Sequence, residues 1–227
     1  LAQISDSLPE ELSLAFCGYE DWSSLLKEKH PNAVAITVNY MPVETVGLGL
    51  KMLPDAREIL FISSQTPNSV ALQKLVGPET LFKDCKISVL QSGGKTTQDI
   101  LKAIAQLPAQ SFVVLGSLSV SDKAVLGTAE TLFGAMAAQE APKPCFVATL
   151  MPIHFGAVGG YGVGAKEFAK ETSDLIKAVM SRKDASSLAT VNLTPLPTVN
   201  ISEALKFNLE TDTLPEDTRK LFEPLPS

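Results

Sequence analysis

An α/β fold with parallel sheets flanked by helices is predicted by three observations. From residue 42 to residue 150, apolar β-branched runs alternate with segments of helical period. That order lays successive strands side by side with helices over both faces of the sheet. The strand candidates are apolar on consecutive residues, as strands buried on both faces are. Hydrophobic residues make up 45% of the 227, enough for one large core or two smaller ones.

The elements follow in order. "LSLAFCGY" (12–19) and "AVAITVN" (33–39) are strands. Val43, Val46, Leu50 and Leu53 share one helical face, and "EILFISS" (58–64) is a strand. Asn68 caps a helix through Leu72, Leu75 and Val76. "KISVLQS" (86–92) is a strand, residues 96–107 a helix, and "SFVVLGSL" (111–118) a strand. Val125, Ala129, Leu132, Phe133 and Met136 mark another helix, and "PCFVATL" (144–150) is the last strand of the series. Beyond it, "MPIHFGAVGGYGVGAKEF" reads as irregular and Gly-rich. A helix then presents Phe168, Thr172, Leu175, Ile176 and Val179 on one side. The Pro-rich run "VNLTPLPTVN", a short helix near 201–207 and a polar tail complete the chain.

Composition removes several classes of function. The net charge of -6 with no basic run gives nucleic acid no electrostatic footprint. The longest apolar stretches are strand-sized, short of the ~18 residues of a membrane span. The opening "LAQISDSLPEEL" has neither the basic region nor the apolar core of a signal peptide. Cys17, Cys85 and Cys145 are odd in number and widely spaced, with no CxxC or Cys/His cluster. They read as buried free thiols, and no metal site is expected.

The stretch "ISVLQSGGKTTQDILKAIAQL" (87–107) has the order of a P-loop, strand, glycine pair, lysine, threonine, helix. The motif needs glycine at position 89, where Val89 stands, so the loop is too short to wrap a phosphate. Thr96 followed by Asp99 is instead a helix start close to a capping box, after a tight Gly93-Gly94 turn. A dinucleotide fingerprint also fails: Glu167 stands where Gly162-x-Gly164 requires glycine, and Met52 where Gly47-x-Gly49 does. No cofactor is expected.

Catalytic groups are sparse. His30 precedes Pro31 in a polar stretch and reads as solvated; His154 follows the last strand, where ligand contact and a structural role are equally open. There is no GxSxG nucleophile elbow. Two cysteines in two halves can form a racemase acid/base pair, but Cys145 lies near the start of its strand, whereas ligand sites in open α/β sheets lie at strand carboxyl ends. Those ends carry Tyr19, Glu20 and Trp22; Ser64, Gln65, Thr66 and Asn68; Ser117 and Ser119; and, past the last strand, His154 and Tyr161. Small hydroxyl and amide groups with a few acids and aromatics suit hydrogen bonding to a small polar molecule better than breaking its bonds. Each serine or asparagine alone serves equally as a helix cap.

Four segments carry a family resemblance. They are "LAFCGYEDW" (14–22), "ETVGLGLKMLPDAREILFIS" (44–63), "GAVGGYGVGAKEFAKETSDLIKAVMS" (156–181) and "VNISEALKFNLETDTLPEDTRKLFEPLP" (199–226). In this order and spacing they resemble the periplasmic-binding-protein-like (type I, ABC-type solute-binding) extracytoplasmic sensor domains found on histidine kinases. They are also similar to solute-binding proteins of tryptophan-type ABC importers. The resemblance implies two α/β lobes, residues 42–151 forming one and residues 1–41 with 152–227 the other. It implies a ligand held in the cleft between them and a hinge at Gly156, Gly159 and Gly160. Only one good strand precedes the first crossover, so either the chain starts late or the first lobe is reduced. The implied function is a small-molecule sensor in the periplasm or outside the cell that signals to an attached, membrane-anchored kinase or cyclase. A free solute-binding protein serving an importer permease is the alternative, and a racemase-like enzyme ranks below both.

Overall fold

The structure is a computed structural model that describes residues 14–18, 30, 33–64, 85–118, 120–121, 128–148, 151–181 and 190–222. The strands are β1 (Leu14–Gly18), β2 (Ala33–Val38), β3 (Glu58–Ser63), β4 (Lys86–Gln91), β5 (Ser111–Leu115), β6 (Cys145–Val147), β7 (Gly159–Gly162), β8 (Val191–Leu193), β9 (Leu196–Asn200) and β10 (Arg219–Leu221). The helices are α1 (Pro42–Met52), α2 (Thr97–Ala105), α3 (Thr128–Ala137), α4 (Ala165–Met180) and α5 (Ile201–Lys206), with a 3-10 turn at Met151–Phe155. The chain divides into two compact units, Leu1–Tyr40 with Val163–Pro195 and Met41–Gly162 with Leu196–Ser227.

In the smaller unit, β1, β2 and β8 form a parallel sheet with β2 in the centre. All six residues of β2 are buried, as a central parallel strand requires. Val34, Ile36 and Val38 pack with Val163, Leu175 and Leu193, and α4 adds Phe168 and Val179. The Thr37 hydroxyl donates to Asn192 Oδ1 at 3.2 Å, tying β2 to β8. His30, which its polar neighbours suggest is solvated, is buried at 2% exposure. Its carbonyl accepts the Ala33 N–H at 2.9 Å in the turn that feeds β2. Cys17 is exposed, contrary to expectation, because it lies on the edge strand β1.

The larger unit is a seven-stranded sheet in the order β10-β9-β7-β6-β5-β3-β4. Its two faces follow strand alternation. On one face, Leu60, Ile62, Val113, Leu115, Cys145 and Val147 pack beneath Ile100 and Ile104 of α2 and Leu132, Phe133 and Met136 of α3. On the other, Phe112 meets Phe146 edge-on at 5.2 Å between ring centroids, and α1 lies over β5, β6 and β7. The Thr96–Asp99 capping box is complete: Thr96 Oγ1 accepts the Asp99 N–H at 3.1 Å and Asp99 Oδ2 accepts the Thr96 N–H at 3.0 Å. Gly94 ahead of it has φ +75°, so the glycine pair makes the tight turn expected. Cys85 is half-buried rather than buried, just ahead of the edge strand β4.

The main difference from expectation lies after residue 150. The irregular Gly-rich stretch contains β7, and the Pro-rich run contains β8 and β9. β7 continues the parallel order through Phe146↔Gly159, then pairs antiparallel with β9, which pairs parallel with β10. Residues 152–162 and 196–222 therefore extend the sheet of 42–151, where the resemblance assigns them to the other lobe. Gly159 and Gly160 are strand residues, set there by crowding: an added Cβ would stand 2.5 Å from the Thr198 carbonyl oxygen and 1.8 Å from the Val147 carbonyl oxygen, respectively. Of the three expected hinge glycines, only Gly156 has a positive φ, +111°.

The two glycines of α1 should respond in opposite ways to alanine. At Gly47 a Cβ meets nothing within 4 Å, so Gly47→Ala should stabilise the fold by about 0.5–1 kcal/mol through helix propensity. At Gly49 it would lie 2.6 Å from the Phe112 ring, and Gly49→Ala should cost about 1–3 kcal/mol. Urea unfolding of the two variants measures both.

Candidate functional site

Parallel strands give the larger sheet a carboxyl edge and an amino edge, and chain direction sorts the candidate residues between them. At the carboxyl edge, β3 runs into Ser63 and Ser64 and β5 runs into Gly116 and Ser117. The Ser64 N–H donates to Ser117 Oγ at 2.9 Å, and the two hydroxyl oxygens are 3.0 Å apart. Ser64 is buried and Ser117 half-buried. The Gly116 N–H donates to the Ile62 carbonyl at 2.9 Å. A Cβ at Gly116 would stand 2.7 Å from the Phe61 ring, so the glycine lets the two strand ends draw together. Beyond β4, Ser92 gives both its N–H (2.8 Å) and its hydroxyl (3.2 Å) to the Ser63 carbonyl. The result is a seam of serine hydroxyls across three adjacent strand ends.

Tyr161 reaches the same edge from β7. Its N–H donates to Thr45 Oγ1 at 3.3 Å, and Thr45 Oγ1 donates to the Met41 carbonyl at 2.8 Å. Both groups belong to the start of α1, which lies at the carboxyl edge because its other end leads into β3. Burial first, then the carboxylates of Asp217 and Glu44, push the Tyr161 phenol up. It therefore remains a neutral donor at neutral pH, beside two negative charges. The strand-end search missed Glu44 and Asp217. Glu44 had a legible signal, as an acid in the first turn of a helix that starts at this edge. Asp217 had none, because its place depends on β9 and β10.

His154 is not part of this group. The strand it was expected to follow closely ends at Val147, and the chain then returns toward the amino edge to begin β7. The Val158 N–H donates to the Cys145 carbonyl at 2.7 Å, and the Val158 carbonyl accepts from Asn200 at 2.7 Å. His154 lies on that return, exposed, its ring edge-on to Phe222 at 5.7 Å. Phe222 follows β10, whose end is also at the amino edge. Tyr19, Glu20, Trp22, Gln65, Thr66, Asn68 and Ser119 lie outside the described residues.

The cysteine pair of the racemase reading gains nothing from the geometry. Cys145 is buried at the first position of β6, and burial pushes its thiol far above the ordinary range. A thiol held protonated at the amino end of its strand cannot exchange protons with a substrate at the carboxyl end. Among the described residues, no group of three or more His, Cys, Asp and Glu side chains is placed to hold a metal, and no helix is long and apolar enough to cross a membrane.

No family model matches the sequence, and no curated protein matches it. Solved structures do. A conserved domain protein from Vibrio cholerae O1 biovar eltor aligns with a TM-score of 0.60 and 19% identity over 83% of this chain and 62% of its own. An ABC domain in complex with L-Trp from Streptococcus pneumoniae aligns with a TM-score of 0.64 and 10% identity over 83% of this chain and 64% of its own. A substrate-binding protein with adhesive properties from Clostridium difficile, in its ligand-free open structure, gives 0.58 and 14% over 84% and 62%. The fold is that of the periplasmic-binding-protein-like α/β proteins. The chain spans a little under two thirds of the length of each of these neighbours.

The serine seam is structural: Ser63, Ser64 and Ser92 are buried and their hydroxyls are hydrogen-bonded within it. Ser117→Ala removes the acceptor of a buried strand-end N–H and should cost about 1 kcal/mol. Ser64→Ala should cost less, since the backbone contact survives. Both variants should remain folded, which chemical denaturation with circular dichroism checks.

Proposed function

We propose that the chain is a binding module for a small polar organic molecule, held at the carboxyl edge of its larger sheet. The observation that carries this reading is the gathering of Ser64, Ser117 and Tyr161 at one edge, beside the carboxylates of Glu44 and Asp217. Ligands of open α/β sheets bind at that edge. Hydroxyls supply directional hydrogen bonds without committing to a charge. The two carboxylates favour a ligand that carries an ammonium group. A free amino acid or small amine meets both conditions; a phosphate or polycarboxylate would face uncompensated repulsion.

The output of binding is proposed to be signalling, from outside the cytoplasm to an attached kinase or cyclase. The resemblance of the four sequence segments to sensor domains supports this. The structural neighbours, among them a substrate-binding protein, support delivery to an importer permease as the second reading. The physics of ligand capture is the same in both, and whether the full-length protein carries a kinase or cyclase domain separates them.

A thermal-shift screen against amino acids, amines, sugars, nucleosides and small carboxylates tests the binding reading. A ligand at ~100 times its dissociation constant adds ~2.7 kcal/mol, a rise of several degrees. The expected hit carries an ammonium and is recovered unchanged. Tyr161→Phe should weaken it about tenfold, the worth of one hydrogen bond at a partly charged site. Glu44→Gln should weaken cationic ligands more than neutral ones. A ligand that is chemically converted, or a panel that produces no shift with the folded protein, would overturn the proposal.

A further inference from the structure

Thr45 joins two parts of the carboxyl-edge site that lie far apart in sequence. It is fully buried, at 0% exposure, one residue beyond the first-turn Glu44 of α1. The Met41 carbonyl accepts both its N–H at 3.0 Å and its hydroxyl at 2.8 Å. A hydroxyl has one proton to give. With that proton committed to Met41, the lone pairs of Thr45 Oγ1 are left for the Tyr161 N–H, which is 3.3 Å away and 116 positions along the chain. The order Tyr161 N–H, Thr45 O–H, Met41 C=O gives each bond one direction, and bonds in such a chain polarise one another.

The surroundings of β7 explain why a helix supplies that acceptor. β7 is in register with β6 only at Phe146↔Gly159, and β6 ends at Val147. On its other side Tyr161 stands opposite Pro197, which has no N–H to give the ladder. The Thr45 hydroxyl takes the place that a longer β6 would have filled. Because Glu44 immediately precedes Thr45, the bond that fixes β7 also fixes the turn carrying this carboxylate against it. The phenol of Tyr161 is close enough to Asp217 and Glu44 for both charges to act on it. A helical threonine often returns its hydroxyl to the carbonyl four residues back, and that bond alone is local. The bond to Tyr161 is not local, because it ties the helix to a second element of the site.

We propose that Thr45 is a positioning residue for ligand selectivity: its hydroxyl holds the Tyr161 phenol and the Glu44 carboxylate at one spacing, matched to a ligand that carries an ammonium group. The role rests on the binding reading above, but its first test needs no ligand. The whole 227-residue chain is labelled with meta-fluorotyrosine, and Tyr161→Phe identifies the Tyr161 resonance among the three tyrosines. In Thr45→Val, which keeps the shape and removes the hydroxyl, that resonance should shift toward the position of a solvent-exposed tyrosine. In Thr45→Ser it should stay. A hydroxyl that only supports the helix would lower the melting temperature of Thr45→Val and leave the resonance in place, which overturns the proposal; so does a shift of equal size in Thr45→Ser. The ammonium-bearing hit of the thermal-shift screen gives the second test. Thr45→Val should weaken its binding about tenfold, and adding Tyr161→Phe should weaken it little further rather than about tenfold again. Full additivity overturns the positioning role. A screen without a hit overturns the binding reading and the selectivity role with it, whereas an unmoved resonance beside a clear hit overturns the role of Thr45 alone. Should Thr45→Val fail to fold, hydrogen exchange in the wild type decides. The Tyr161 amide should be protected, and exchange at the rate of an exposed amide overturns the proposal.

Discussion

The organisation of the larger unit depends on one close approach of backbone to backbone. At Gly160 the chain passes so near the Val147 carbonyl that any Cβ would overlap it, and at Gly159 it meets the Thr198 carbonyl in the same way. Only glycine allows β7 to sit between β6 and β9 there. Because β7 sits there, a parallel sheet acquires an antiparallel neighbour. β9 then brings in β10, and α5 follows directly from β9 with Asn200 as its cap: Asn200 Oδ1 accepts the Glu203 N–H at 3.1 Å. Two glycines thus attach a quarter of the unit to a sheet that would otherwise end at β6.

That attachment also decides what each edge of the sheet can do. β7 delivers Tyr161 to the carboxyl edge, and β9 and β10 place Asp217 beside it, where α1 already contributes Glu44. A site of hydroxyls alone becomes one with a negative character. At the amino edge the same reversal brings Phe222 against His154 and removes both from the ligand side.

How much of this the sequence revealed depends on the type of signal. Consecutive apolar residues in β2, β3 and β5 and the capping box at Thr96 are local features, and each matched its element within a few residues. The strand-end rule picked out Ser64 and Ser117, and the structure sets their hydroxyls 3.0 Å apart, because β3 and β5 are adjacent parallel strands. β7 was illegible because "GGYG" has three glycines and no apolar run, and its glycines answer to contacts with Val147 and Thr198 far away in sequence. β9 was hidden by Pro197, which lacks a ladder donor. It is tolerated because β10 pairs only from Thr198 onward, so β9 is an edge strand at that residue. His154 was misplaced for a related reason: nothing local shows that the chain turns back after Val147.

The distribution of charge follows from the same geometry. Helices that run antiparallel to the strands present their positive ends at the carboxyl edge, which favours anions there. Glu44 occupies the first turn of α1 and satisfies that end from within the protein. With the helix terminus already answered by a carboxylate, what the edge still offers a ligand is hydroxyl hydrogen bonds and residual negative charge. On the proposed reading an ammonium-bearing molecule is matched to that surplus, whereas a phosphate would have to displace the acid that already serves the helix. On that reading the favourable end of a helix dipole is a poor guide to the ligand, because an acid of the protein, Glu44, already sits in its first turn.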